Sequence, residues 1–394
     1  MIRGGSRAHA WIRHRNRAAV LAVIRRHGRV ARPTIERETS LAFPTVVQIV
    51  NALIADGMVG EVAIGASTGG RRPALLALRP EFGHAVGARL QNGAMSLAVV
   101  DFAGSILAQH RVAIDTRDPD AALPQIAQGI DAVRARAGLP GQALGVGLAV
   151  PGVVDMESGT MRRSPPLGWR EVPIARRLRR TLGASVWVDN DVNVLAQDQA
   201  LFGAGQQWRN FLVVTVGRGL GLGVVVDGNV YRGARGGAAE LGHLPWFPYG
   251  TPCTCGRSGC LETGVSDAAV IERYTIRTGQ TPDIDEIRRR LRAGDPDAAV
   301  VYAEVGQELA RAVGGLVTLL APDAVVLSGE GVQAGPGFTD VVASGFRRFA
   351  MPPAADDVTF VVDEWDDGKW ARGAASLVFD HVLFPRDVRD LVLG

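Results

Sequence analysis

All three cysteines of this chain lie within eight residues, in the array Cys253-Thr-Cys255-Gly-Arg-Ser-Gly-Cys260, and His243 stands ten residues before the first of them. Three thiols and an imidazole are the four donors of a closed tetrahedral zinc site, and the intervening glycines permit the tight turns of such a knuckle. Four protein ligands leave no open position, so the expected role of the Zn²⁺ is structural. The bland alternative is a set of inert or redox-active cysteines beside a solvent histidine. An odd count argues against a disulfide framework, and scattered structural cysteines would not all fall in one loop.

Acidic and amide side chains form the second constellation. Trp187-Val-Asp189-Asn-Asp191-Val-Asn193 ends a β-rich run and leads into a helix expected over about Val192–Gln207. At such a junction Asp191 could accept a proton from a substrate hydroxyl, with Asn190 and Asn193 as amide hydrogen-bonders. Plain helix capping by Asp and Asn accounts for the same residues, and the stretch alone does not decide between the two. Val150-Pro-Gly152 follows another strand, and Glu240 and Glu262 flank the cysteine loop. Together they make a polar pocket suited to a polyol.

These residues need strands to hold them. Phe211–Val216 and Val224–Val226 read as strands around the glycine-rich turn Gly217-Arg-Gly-Leu-Gly-Leu-Gly223, and Asp227-Gly228 predicts a two-residue hairpin. Ala85–Leu90, Met95–Asp101 and Ser105–Ala113 repeat that plan of strand, glycine-containing turn and strand. The repeat predicts two similar lobes facing a cleft. Further strands are expected at Ala143–Val150, Ala184–Val188, Ala324–Leu327 and Val358–Val362, alternating with helices, so the class is α/β.

The first 80 residues differ in kind. They carry 13 Arg and four acids, +9, whereas the remainder carries 30 basic and 36 acidic residues, −6. A basic head on an acidic body suggests a polyanion-binding module. Residues 1–15 lack periodicity and are expected to be a mobile arm. Helices are expected over Arg17–His27, about Pro33–Glu38 and Pro44–Asp56, followed by strands Met58–Ile64 and Pro73–Leu78 around a Gly- and Arg-rich tip. This is the pattern of a winged helix-turn-helix. Thr45, Gln48 and Asn51 face away from Val46, Val50 and Leu53 and are the candidate base readers, while Arg71 and Arg72 on the tip could enter a minor groove. A helical protein–protein module is the other reading of the head. No apolar run has the length of a membrane span, and the expected location is the cytoplasm.

At this point the chain resembles the ROK family (repressors, open reading frames and sugar kinases). Val216-Gly-Arg-Gly-Leu-Gly-Leu-Gly-Val224, Gly233 and Ala239-Glu-Leu-Gly-His243 follow that family's glycine pattern in spacing, and the cysteine knuckle with its trailing Glu262, Pro151-Gly152 and Asp189-Asn-Asp191 look like its other motifs. The resemblance implies a two-lobed actin/hexokinase-like (ribonuclease H-like) body over 81–394. Its smaller lobe would span about 81–190 plus the C-terminal helix, its larger lobe about 191–370, and a DNA-binding domain would occupy 1–80. It further implies that Gly152, Asn190, Asp191, Glu240, His243 and Glu262 bind a sugar, with His243 using one ring nitrogen for zinc and the other toward the sugar.

Departures from the family pattern set the functional expectation. Its kinases carry Asp-x-Gly-Gly-Thr after the first strand; the aligned stretch here is Arg89-Leu-Gln-Asn-Gly93, and Arg218 stands where the kinases usually have threonine. Phosphoryl transfer depends on placing Mg²⁺ and the γ-phosphate, so losing those groups removes the mechanism. In the head, Ala42 and Phe43 replace a Ser and a basic residue common in family repressors, and Val47 is apolar on a face usually polar. The expectation is a repressor without kinase activity, a homodimer or homotetramer on a palindromic double-stranded operator, released by a sugar or sugar derivative. The alternative is an ATP-dependent sugar kinase that also binds DNA.

Overall fold

The computed structural model describes residues 4–64, 74–139, 143–364 and 366–383. Its head runs through α1 (Gly4–His27), β1 (Val30–Ala31), α2 (Arg32–Thr39), α3 (Phe43–Ala55), β2 (Val59–Ile64) and β3 (Ala74–Leu78). The three strands pair antiparallel in the order β1-β3-β2. Between α2 and α3 the chain bends by 117°, the angle of a helix-turn-helix. Ser40 makes the turn with a left-handed backbone at φ 55°.

The expected arm at 1–15 is corrected: the first helix already begins at Gly4. No Pro or Gly interrupts Arg7–His27, and Ala and Arg propagate a helix once the packed turn around Val20 and Ile24 has nucleated it. Apolar periodicity marks the buried part of a helix and says nothing about an exposed extension. β1 is a second addition. It is too short to carry an alternation pattern and is defined by its pairing of Val30 with Leu76.

The body opens with β4 (His84–Gln91), β5 (Ala94–Asp101), β6 (Ile106–Ala113), α4 (Pro119–Ala137) and β7 (Val146–Val150). Next come a small antiparallel sheet of β8 (Val153–Asp155), β9 (Thr160–Ser164) and β10 (Trp169–Val172), then α5 (Ile174–Leu182) and β11 (Val186–Asn190). After α6 (Asp191–Phe202) follow β12 (Phe211–Val216), β13 (Leu220–Val226), β14 (Asn229–Val230), α7 (Glu262–Val265), α8 (Asp267–Thr278), α9 (Ile284–Arg292) and α10 (Pro296–Leu320). The chain closes with β15 (Ala324–Ser328), α11 (Pro336–Gly345), β16 (Thr359–Val362) and α12 (Asp367–Leu383).

Two five-stranded sheets result, β6-β5-β4-β7-β11 and β14-β13-β12-β15-β16. Each has its first three strands antiparallel and its last two parallel, so the repeat visible in the first three strands extends to the whole sheet. The hairpin at Asp227-Gly228 has both residues at positive φ, as its sequence requires. No single helix among the described residues is long and apolar enough to cross a membrane.

α12 lies directly on the first sheet because two glycines let it. Gly87 and Gly147 are partners in the parallel β4–β7 pair. A Cβ added to them would sit 1.8 Å from the Ala371 carbonyl oxygen and 1.7 Å from that of Ala374. Backbone cannot yield to such an approach, so only glycine fits at these two strand positions. The head shares this layer. Val20, Leu21 and Ile24 of α1 join one apolar cluster with Phe102, Val378 and Phe379, and the Phe102 ring packs against Phe82 and Phe379 at centroid distances of 4.7 and 5.7 Å. Head and body are therefore not beads on a string.

Candidate functional site

β7 and β11 run parallel and end side by side, pairing Asn190 with Val150, so Gly152 and Asp191 emerge at the carboxyl ends of adjacent strands, where α/β sheets bind ligands. The Asn190 side chain fastens this corner. Its Oδ1 accepts from the backbone N–H groups of Val192 and Asn193 at 2.8 and 3.1 Å, capping α6, and its Nδ2 donates to the Gly152 carbonyl at 3.0 Å. Asn190 thus caps the helix and also ties its start to the Gly152 turn. Asn193 is buried and donates to Asp189 at 3.2 Å, and Arg232 holds the other Asp189 oxygen at 2.7 Å. Asp191 is the carboxylate left facing the cleft.

That cleft measures about 560 Å³ and is lined by all six proposed sugar contacts: Gly152, Asn190, Asp191, Glu240, His243 and Glu262. The size suits a small polar ligand. Glu262 begins α7 and accepts from the Leu220 N–H at 3.0 Å, which ties the glycine turn to the cysteine loop. Gly219 lies close to this bond: a Cβ there would come within 2.8 Å of the Glu262 carboxylate and push it aside. Burial pushes the Glu240 carboxyl above its ordinary value, His243 opposes that shift, and Asp191 and Glu262 reinforce it.

His243, Cys253, Cys255 and Cys260 bring one ligand atom each to within 4.8 Å of one another. Cys253 Sγ is 3.6 Å from His243 Nδ1, and Cys255 Sγ is 3.6 Å from Cys260 Sγ. A tetrahedron with Zn–S bonds of about 2.3 Å has edges of about 3.7 Å, so the donor set fits zinc. With Nδ1 turned to the thiols, His243 presents Nε2 to the cleft, 3.9 Å from Glu240. Cys253→Ser is expected to remove bound metal and loosen the loop that carries Glu240 and Glu262. Atomic absorption on the purified chain checks this, and an unchanged zinc content in the variant contradicts it.

The other wall of the cleft belongs to Arg89. Its guanidinium lies 3.6 Å from Asp191 and 3.7 Å from Asp367 and stacks 3.7 Å above the Trp370 ring. Sequence reasoning named Arg89 but not Trp370 or Asp367, which lie about 280 residues further along the chain and carry no motif. It also missed Arg163 of β9, which donates to the Cys255 carbonyl at 2.8 Å and links the small sheet to the cysteine loop. Arg218 faces Glu330 at 4.0 Å.

In the head, Gln48 and Asn51 are exposed on α3 and Thr45 is half-buried, opposite the fully buried Val46, Val50 and Leu53. Arg71 and Arg72 lie outside the described residues.

Two sheets of one topology facing a polar cleft, with a tetrahedral donor set in its wall, define an actin/hexokinase-like body. The ROK family model matches residues 87–381, and the chain belongs to the ROK family. Over 380 residues it is 28% identical to the N-acetylglucosamine repressor of Escherichia coli O6:H1, covering 93% of each chain. The solved structure of a ROK family transcriptional regulator, a homologue of the E. coli MLC protein, matches 96% of this chain and 100% of its own with a TM-score of 0.80 at 24% identity. A ROK family glucokinase from Streptomyces griseus, solved with glucose and AMPPNP, matches 76% of this chain and 100% of its own, with a TM-score of 0.68 at 27% identity.

Proposed function

We propose that this chain is a sugar-responsive transcriptional regulator that works as a repressor in the cytoplasm and has no kinase activity. The observation that carries this reading is the make-up of the cleft: acid, amide and imidazole side chains line it together with a buried arginine that stands against Asp191. A kinase needs its general base free to meet a hydroxyl and a metal-bound phosphate beside it. Here the carboxylate in the base position faces Arg89 at 3.6 Å. The similarity to a sugar repressor over 93% of each chain supports the reading, and so does the extent of the glucokinase match, which leaves about a quarter of this chain uncovered.

In this account Gly152, Asn190, Asp191, Glu240, His243 and Glu262 hold the sugar, and Zn²⁺ on His243 and the three cysteines fixes the wall they stand on. Thr45, Gln48, Asn51 and the wing arginines Arg71 and Arg72 grip the operator, two heads of a homodimer or homotetramer meeting a palindrome. The route between the sites is α6. It starts at Asp191 in the cleft and ends at Phe202, whose ring lies 5.5 Å from the Arg25 guanidinium of the head and 5.2 Å from that of Arg372. A sugar that binds the DNA-incompetent arrangement better weakens operator binding by that difference in affinity.

The test is a gel-shift titration with a duplex that the full chain retains. One monosaccharide, amino sugar or sugar phosphate of a panel should release the duplex; release by none of them removes the effector half of the account. The alternative, a sugar kinase that binds DNA, is addressed by coupled ADP release over the same panel, where turnover above background would overturn the non-kinase reading.

A further inference from the structure

The recognition helix of this chain is unusual in having no charge. α3 reads Phe-Pro-Thr-Val-Val-Gln-Ile-Val-Asn-Ala-Leu-Ile-Ala, without an acidic or basic residue. Its inward face is spent on Val46, Val50 and Leu53, all fully buried. What faces outward includes Phe43 at 41% exposure, Pro44, half-buried Thr45 and Val47, exposed Gln48 and Asn51, and the small Ala52. Phe43 is the first helical residue. That is the end of a recognition helix which meets base edges, and a large exposed aromatic there is left uncovered by the fold.

The chemistry of such a face is limited. Guanine is read in the major groove chiefly by arginine or lysine on O6 and N7, and α3 offers neither. The amides of Gln48 and Asn51 match adenine N6 and N7, and apolar side chains match the thymine C5-methyl group. Positive charge in the head lies off this helix, as in Arg32 of α2, which is paired with Glu61 at 3.0 Å. Arginines so placed can serve phosphates, which fix register without reading sequence.

Resting on the DNA-binding reading above, we propose that Phe43 and Val47 are specificity-determining residues that read thymine methyl groups, so that the half-site under α3 is composed of A·T pairs. Specificity at these positions is then a matter of methyl burial and adenine amide pairs, with no arginine or lysine contact to guanine from the helix. A cytosine in place of a contacted thymine is rejected because it lacks the methyl group and pairs with a guanine for which α3 has no bidentate cation.

The experiment selects duplexes from a random library with the full chain, then replaces thymines of the enriched half-site one at a time by deoxyuridine, which deletes only the methyl group. Enriched half-sites should be A·T at the steps beneath α3, and each contacted thymine should lose about fourfold in affinity on replacement, the worth of one buried methyl. Phe43→Ala should bind the thymine duplex more weakly and no longer distinguish it from the deoxyuridine duplex, and Phe43→Leu should restore part of the distinction. Phe43 is exposed, so neither variant opens a core. Half-sites rich in G·C beneath α3, or equal wild-type affinity for both duplexes, overturn the proposal while leaving DNA binding intact. Enrichment of no duplex removes the DNA reading and this proposal with it.

Discussion

Asp191→Asn is expected to cost the sugar response about ten- to a hundredfold in effector affinity while leaving operator affinity without sugar nearly unchanged. Asp191 is the first residue of α6, with Oδ1 accepting from the Val192 N–H at 3.1 Å and Oδ2 turned toward Arg89. A hydroxyl bound to an ionised carboxylate contributes about 1.5–3 kcal/mol, and a neutral amide keeps little of that. The helix survives because Asn190 caps it through both the Val192 and the Asn193 N–H, and the amide oxygen of Asn at 191 can still accept from Val192. Calorimetry with the effector, set beside a gel shift without it, separates the two quantities. Loss of DNA binding, with sugar affinity kept, would assign Asp191 to the structure of α6 instead.

Arg372→Ala is expected to destabilise the chain by about 3–5 kcal/mol, the usual result of leaving a buried charge unpaired. Asp198 in the middle of α6 is completely buried and takes two bonds from the Arg372 guanidinium of α12, at 2.7 and 2.8 Å. Gly373 next to it lets α12 approach the Val194 carbonyl of α6. The pair thus clamps the helix that leads from the cleft to Phe202 against the helix that underlies the head. Because desolvation of two ions offsets much of their attraction, the double replacement Asp198→Leu with Arg372→Met should recover most of the lost stability. Urea unfolding of Arg372→Ala and of the double variant, each beside wild type, checks both statements. A single variant within about 1 kcal/mol of wild type, the low range usual for exposed pairs, contradicts the clamp.

The cysteine loop and the cleft acids were legible because their information is local. Cys253, Cys255 and Cys260 sit in one turn, and Asn190 and Asp191 announce a strand-to-helix junction by their type. The doubled sheet was legible for its first three strands, except that β13 begins at Leu220: the expected turn over 217–223 shrinks to 217–219, and Gly221 and Gly223 pair within the strand. What stayed hidden depends on distance along the chain. Trp370 and Asp367 have meaning only beside Arg89, Arg163 only beside Cys255, and β1 only through Leu76. The small sheet β8–β10 escaped for another reason: Thr160–Ser164 and Trp169–Val172 mix charged and apolar residues without the alternation that marks a half-buried strand. The N-terminal turns of α1, from Gly4, escaped because the sequence before Arg17 carries no apolar period. Gly87 and Gly147 look like weaknesses in strands until α12 is laid across them.

We propose that the cleft recognises a sugar without nucleotide because the Arg89 guanidinium, 3.6 Å from Asp191, puts a cation where a kinase needs a metal-bound phosphate. Isothermal titration of the wild-type chain tests it directly, with the sugar panel alone and again with ATP and Mg²⁺. The account predicts saturable heat from at least one sugar, no heat from ATP with Mg²⁺, and the same sugar affinity in its presence. Saturable binding of ATP with Mg²⁺, or a sugar that binds only when nucleotide is present, would contradict it.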